Sequence, residues 1–353
     1  VFFKGMRMIL TGLVCLPALV MAHTGEHEKA RSAGPHGGKT GTGAWIYQAV
    51  PGWGDLPNDK QFGPTHGGVV VAPNGNVVLS TDSELSLVIW KPDGTFLRSI
   101  APECQGIHGM QLVTEDGRPV IYGAQNNGAG NKQRVSKGLS PTPFRIVKLD
   151  LDGTLLTEIP NKNTADVPGG WNGLTAVAVA ADGAVFAAMG YGSQMIHKFD
   201  ADGRLLKSFG GPGGGEGTFK TCHGLTIDHR FGEPRLLVAD RENRRLCHLD
   251  LAGNWIGVHA EHLRRPCAMA WFGEVLAVAE LEARVTLLDK AGKVLATLGD
   301  NPDKTKWANF TVPPTEQEDG IFTAPHGIAF AANGDLYVQD WNASGRITCL
   351  RKQ

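Results

Sequence analysis

Six positions, spaced about one repeat apart, carry side chains that hold or resemble metal ligands: His66, His108, Asn172, His223, Cys267 and His326. Imidazole nitrogen and thiolate sulfur suit zinc, copper, iron or nickel, whereas a site built for calcium alone would offer carboxylates and carbonyls. No local spacing such as HExxH joins any two of them, so they form one site only if the fold superimposes like positions. All four histidines are followed by glycine. A structural reading competes, in which each His bonds a neighbouring segment and each Gly permits close backbone approach. Four imidazoles at one repeat position favour a metal centre over that reading.

The element that must position them is visible in the stretch Phe219–Gly253. Alternating apolar runs there are separated by turn residues, the pattern of short antiparallel strands. Similar units begin at Thr65, Gly106, Gly170, Arg265 and Ala324. Four strands in a unit of about 40–50 residues make a propeller blade. The last unit stops after three strands, and Ala44–Trp53 has the pattern to supply the fourth. The expected fold is therefore an all-β, six-bladed β-propeller over residues 44–353, its ring closed by an N-terminal strand. Closure in this way removes an open sheet edge. Innermost strands line the channel, so equivalent positions on them ring its axis.

The polar break after each second strand should form another ring at the same mouth: Asp82, Gln125, Tyr191, Arg241, Glu280 or Glu282, and Trp341. Tyr191 lies between Gly190 and Gly192, which leaves its phenol room to project. A tyrosine beside a divalent metal can act as a base. Arg241 can fork onto a carboxylate, or pair with Asp240 or Glu242 between blades. His197 and His248 in outer strands, and His229, His259 and His262 in connections, are assigned to surfaces or ordinary polar contacts. Two insertions, Asn126–Thr142 and Asp300–Gly320, are long enough to wall one mouth of the channel.

The chain has 353 residues and a formal net charge of −1. That balance gives no footprint for nucleic acid or an anionic membrane. Its 47 glycines suit many tight turns. Residues 1–22 read as a secretory signal: Lys4 and Arg7, the apolar Met8–Val20, then Val20-Met21-Ala22. Residues 23–43 read as a flexible polar leader. A secreted or periplasmic location is expected, with no membrane contact after signal cleavage. Of 6 cysteines, five remain after cleavage. Cys222 with Cys267 is one candidate disulfide, and buried free thiols are the alternative.

The blades resemble NHL-type repeats, and among those the peptidyl-α-hydroxyglycine α-amidating lyases. The resemblance rests on VADREN (Val238–Asn243) after CHG (Cys222–Gly224), on VFAAMGYGSQMIHKFDADG (Val185–Gly203), on APHGIAF (Ala324–Phe330) and on GIHGM (Gly106–Met110). It implies zinc, Zn2+, held by His108, His223 and His326, with Tyr191 and Arg241 as catalytic groups beside it. The reaction implied cleaves a carbinolamide into an amide and glyoxylate. The sequence also departs from that family. Leu79–Leu85 (LSTDSEL) lacks the family's blade-one arginine, Ala324 and Pro325 precede His326 where a Met is usual, and the family's disulfides are absent. His66 is an extra imidazole, included here as a fourth metal ligand.

The expectation is thus an exported, metal-dependent lyase-like enzyme acting on a peptide or other small molecule, a monomer, with zinc or another divalent transition metal and a structural calcium ion as a further candidate. The alternative is a non-catalytic NHL propeller that binds peptide, glycan or protein partners on one face. A calcium-dependent lactonase ranks last, because such sites rely on Glu, Asn and Asp.

Overall fold

The computed structural model describes residues 32–33, 38–61, 63–126, 134–138, 140–159 and 167–353. The signal segment, most of the leader and part of the Asn126–Thr142 insertion lie outside the described residues. The chain builds six antiparallel blades in a ring. Blade 1 comprises Val69–Val71, Val77–Ser80, Leu87–Trp90 and Phe96–Ile100, and blade 2 Ile107–Glu115, Arg118–Gln125, Arg145–Leu149 and Leu155–Ile159. Blade 3 comprises Ala176–Val179, Val185–Ala188, Met195–Phe199 and Leu205–Gly210, and blade 4 Cys222–Asp228, Arg235–Asp240, Arg245–Asp250 and Trp255–Ala260. Blade 5 comprises Pro266–Phe272, Val275–Glu280, Arg284–Leu288 and Val294–Leu298. Blade 6 takes Pro325–Phe330, Leu336–Asp340 and Arg346–Lys352 from the C-terminal end.

Its fourth strand is Trp45–Ala49, paired antiparallel to Arg346–Lys352 through Ala49 with Leu350 and Tyr47 with Lys352. The ring therefore closes as the sequence implied. The strand alternates as a half-buried edge should: Tyr47 and Ala49 are buried, and Ile46 faces out. Lys39–Thr42, part of the leader in the sequence reading, instead forms a fifth strand on Trp45–Ala49. Its lack of apolar side chains hid it. A hairpin turn through Gly43, at φ 59°, brings it back. Ser32–Ala33 pairs with Glu318–Asp319.

The same local chemistry shapes several blades. Asp150, Asp200, Asp250 and Asp289 each accept, at one carboxylate oxygen, the backbone N–H groups two and four residues on. These aspartates fix the turn between third and fourth strands. Between blades, apolar faces interlock. Phe186, Phe219, Cys222, Val238 and Leu249 share one cluster, and Tyr47, Ala277, Leu298, Phe322 and Leu336 another. The five described cysteines are all buried free thiols, so the candidate Cys222–Cys267 disulfide does not form.

Candidate metal centre

The innermost strands of blades 2, 4, 5 and 6 share one irregularity. Pairing with the second strand slips between Ile107 and Gly109, Cys222 and Gly224, Pro266 and Ala268, and Pro325 and Gly327. The extra residue in each β-bulge is His108, His223, Cys267 or His326. A bulge re-aims one side chain out of the pleat, and here it aims each toward the channel axis. A glycine required by packing follows each of the three bulged histidines, whereas Ala268 follows Cys267. A Cβ on Gly109 would lie 2.8 Å from the Thr175 carbonyl oxygen, and one on Gly224 2.4 Å from that of Cys267. Glycine thus lets adjacent strands approach until each carbonyl reaches the ring nitrogen of the neighbouring blade's histidine.

That contact orients the imidazoles. His108 Nδ1 lies 2.5 Å from the Thr175 carbonyl oxygen, and His223 Nδ1 2.9 Å from that of Cys267. With Nδ1–H donating outward, Nε2 presents its lone pair to the axis, the tautomer a metal ligand needs. The ring centroids of His108, His223 and His326 stand 4.7 Å apart in every pair. His66 joins them at 4.5 Å from His108 and 5.0 Å from His326.

The donor atoms form two compact sets that share His326: His66, His108 and His326, and His223, Cys267 and His326, each within 4.8 Å. The trio implied by the resemblance spans both sets. Both ring nitrogens of His326 lack a hydrogen-bond partner, although the residue is only 3% exposed. An unsatisfied buried polar group costs about 1–3 kcal/mol, and a bound ion would remove that cost.

All four imidazoles are held neutral. Burial, with Arg241 nearby, lowers His66 to about 4. Burial and neighbouring imidazoles or Arg241 push His108, His223 and His326 well below the ordinary histidine value. Neutral imidazole is the ligating form.

Tyr191 reaches into the same space. The residue is 40% exposed, while its hydroxyl lies 2.9 Å from His223 Nε2, 3.2 Å from His108 Nε2 and 3.4 Å from His66 Nε2. Arg241 donates to that hydroxyl at 3.3 Å and lies over the ring. Burial pushes the Tyr191 hydroxyl up to about 12, with Arg241 opposing the shift. Arg241 also donates to Glu242 at 2.9 Å, and Arg265 holds the same carboxylate. Of the two ion-pair partners the sequence offered for Arg241, Asp240 and Glu242, it is Glu242 that pairs with it. Asp240 instead binds Arg245 and Asn243.

Other expected positions fall elsewhere. Asn172 is exposed and outside the ring. Blade 3 pairs Ala176 with Ala188 where blade 4 pairs Gly224 with Ala239, so Thr175 holds the position assigned to Asn172. The sequence reading aligned the two Gly-containing pairs and missed the offset. Gln125 bonds Arg145, and Glu280 bonds Arg284 and Thr286, as structural links. Glu282 pairs with Arg244. Trp341 stacks on Phe310 of the Asp300–Gly320 insertion, which docks at the mouth where Cys267, Leu281, Ala324 and Ala308 cluster. Of the two expectations for His197 and His248, surface or ordinary polar contact, the second holds: both are buried and bonded to Ser208 and Asp228.

Asp82, expected in the second ring at this mouth, does lie beside the imidazoles, whereas two backbone carbonyls that bear on the site were not foreseen. The Asp82 carboxyl lies 3.8 Å from His66 Nδ1, with its Oδ2 otherwise unpartnered, and burial pushes it up to about 7. The Thr175 and Cys267 carbonyls are backbone groups, which leave no mark in the sequence. Beneath the imidazoles a cavity of about 50 Å³ is lined in part by Met110, Leu225, Met269 and Ile328. A larger one, about 340 Å³, lies away from this site near Leu97, Arg98 and Asp152.

No protein-family model matches the sequence, and no curated protein matches it in sequence. Solved structures do resemble it. A streptogramin B lyase aligns with a TM-score of 0.54 at 14% identity, covering 88% of this chain and 100% of the other. A catalytically inactive virginiamycin B lyase from Staphylococcus aureus with quinupristin aligns at 0.55 and 14%, over 86% and 98%. A putative gluconolactonase aligns at 0.55 and 14%, over 83% and 90%. At such identities the likeness establishes the six-bladed fold.

Proposed function

We propose that this protein is an exported, metal-dependent lyase that breaks a carbon–nitrogen bond in a carbinolamide, of the α-hydroxyglycine type. The supporting observation is the convergence of three imidazole nitrogens and the Arg241 guanidinium on the Tyr191 hydroxyl. Similar folds include proteins described as lyases, which agrees with the reaction class. His108, His223 and His326, with His66, would hold the ion. The donor set fits a divalent transition metal such as zinc, and does not fit calcium.

When bound, such an ion supplies positive charge that stabilises the tyrosine as phenolate and polarises a substrate oxygen. Arg241 binds the substrate carboxylate, and its ion pair with Glu242 holds the guanidinium in place. Tyr191 takes the proton of the substrate hydroxyl. The oxygen electron pair then forms the carbonyl as the C–N bond breaks. The departing amide nitrogen receives the proton back from Tyr191, which leaves an amide and glyoxylate and restores the phenolate.

The test is glyoxylate release from an α-hydroxyglycine peptide by protein with its metal counted. Release by wild type and its loss in Tyr191→Phe at unchanged metal content is the expected result. Metal bound with no release would reject this reaction and leave the centre standing.

A further inference from the structure

We infer that Cys267 is a ligand of the same ion, making the centre a mixed nitrogen–sulfur site. This rests on the metal reading above and narrows it. Four residues occupy the same β-bulge on the inner strands, and three of them are His108, His223 and His326. The fourth is Cys267, aimed by the same local geometry from blade 5. Its sulfur and one donor nitrogen each of His223 and His326 lie within 4.8 Å of one another. His326 brings two buried ring nitrogens with no other partner. The Cys267 carbonyl meanwhile fixes the His223 ring, at 2.9 Å from Nδ1. One residue therefore orients one ligand through its backbone and offers another through its side chain.

Cys104, Cys222, Cys247 and Cys349 pack within apolar clusters of the blades; Cys267 also borders one, with Leu281 and Ala324, but among the described cysteines it alone joins a donor set. A thiolate also adds negative charge to a site whose other donors are neutral and which faces Arg241. Sulfur ligation selects zinc- and copper-class ions and excludes magnesium and calcium.

Cobalt(II) substitution tests this by absorption spectroscopy, with no reliance on turnover. The wild-type protein loaded with one cobalt should show a near-ultraviolet sulfur-to-cobalt charge-transfer band beside its visible bands. Cys267→Ser should lose that band, keep visible bands of a nitrogen-ligated ion, and bind cobalt about 10–100-fold more weakly. Cys222→Ala should keep it, and Cys267→Ala serves where the serine variant does not fold. Stoichiometric cobalt without the band in wild type, or a band that survives in Cys267→Ser, overturns the sulfur ligand and leaves the imidazole centre intact. Wild-type protein that binds no cobalt overturns both.

Discussion

His223 uses its two nitrogens for different tasks: one is tied to the Cys267 carbonyl, and the other meets the Tyr191 hydroxyl on the axis. In the proposed reaction Tyr191 moves the proton, and removing its hydroxyl takes away none of the imidazoles. Tyr191→Phe should therefore lower kcat about 10²–10⁴-fold while elemental analysis finds the same metal content. Arg241→Lys keeps the charge but loses the planar fork, so KM for a carboxylate substrate should rise more than kcat falls. Steady-state kinetics on both variants check these outcomes. At this scale the sequence disclosed which side chains converge. His66, His108, His223, His326, Tyr191 and Arg241 all meet at one mouth. It was silent on Thr175, whose role belongs to a carbonyl, and misleading on Asn172, where only strand register reveals the offset.

The element that does the aiming is the bulged inner strand. Its glycine is tested by a matched pair. A Cβ at Gly224 would collide with the Cys267 carbonyl oxygen, whereas one at Gly232 meets nothing within 4 Å. Gly224→Ala should cost about 1–3 kcal/mol of stability and lower metal occupancy, while Gly232→Ala should change neither. Thermal melts and metal analysis read the difference. The repeat announced the strands because alternation is written in side chains. The bulge is a feature of pairing, so no residue pattern disclosed it.

Blade 4 also carries a buried ion cluster that links its stability to pH. Burial alone would raise the Asp228 carboxyl. Hydrogen bonds from His248 and Arg230 outweigh that and hold it well below the usual carboxylate range. A depressed folded value means its contribution is fully present above the unfolded value, about 3.9, and is lost as pH falls from there through the folded value. Asp228→Asn should therefore cost about 1.5–3 kcal/mol at pH 7, and the gap to wild type should shrink below about pH 4. Denaturant melts at several pH values measure it.

Over the whole molecule, the proposed function depends on ring closure. The candidate ligands come from blades far apart in sequence, and Trp45–Ala49 on Arg346–Lys352 joins the two ends of the described propeller. A chain beginning after Ala49 would expose the Arg346–Lys352 edge and uncover Leu336 and Leu350, which share a cluster with Tyr47. It should melt at lower temperature and self-associate by size-exclusion chromatography. The count of six blades and the closing strand were both readable from the sequence. The added strand Lys39–Thr42 was not, because polar residues paired only through their backbone look like a leader. The central claim is that the closed ring brings imidazoles from separate blades onto one ion. Elemental analysis of protein purified without added metal tests it most directly. The account predicts about one transition-metal ion per chain, lost in His223→Ala. A wild-type protein free of such metal, or a variant that keeps its full content, would contradict it.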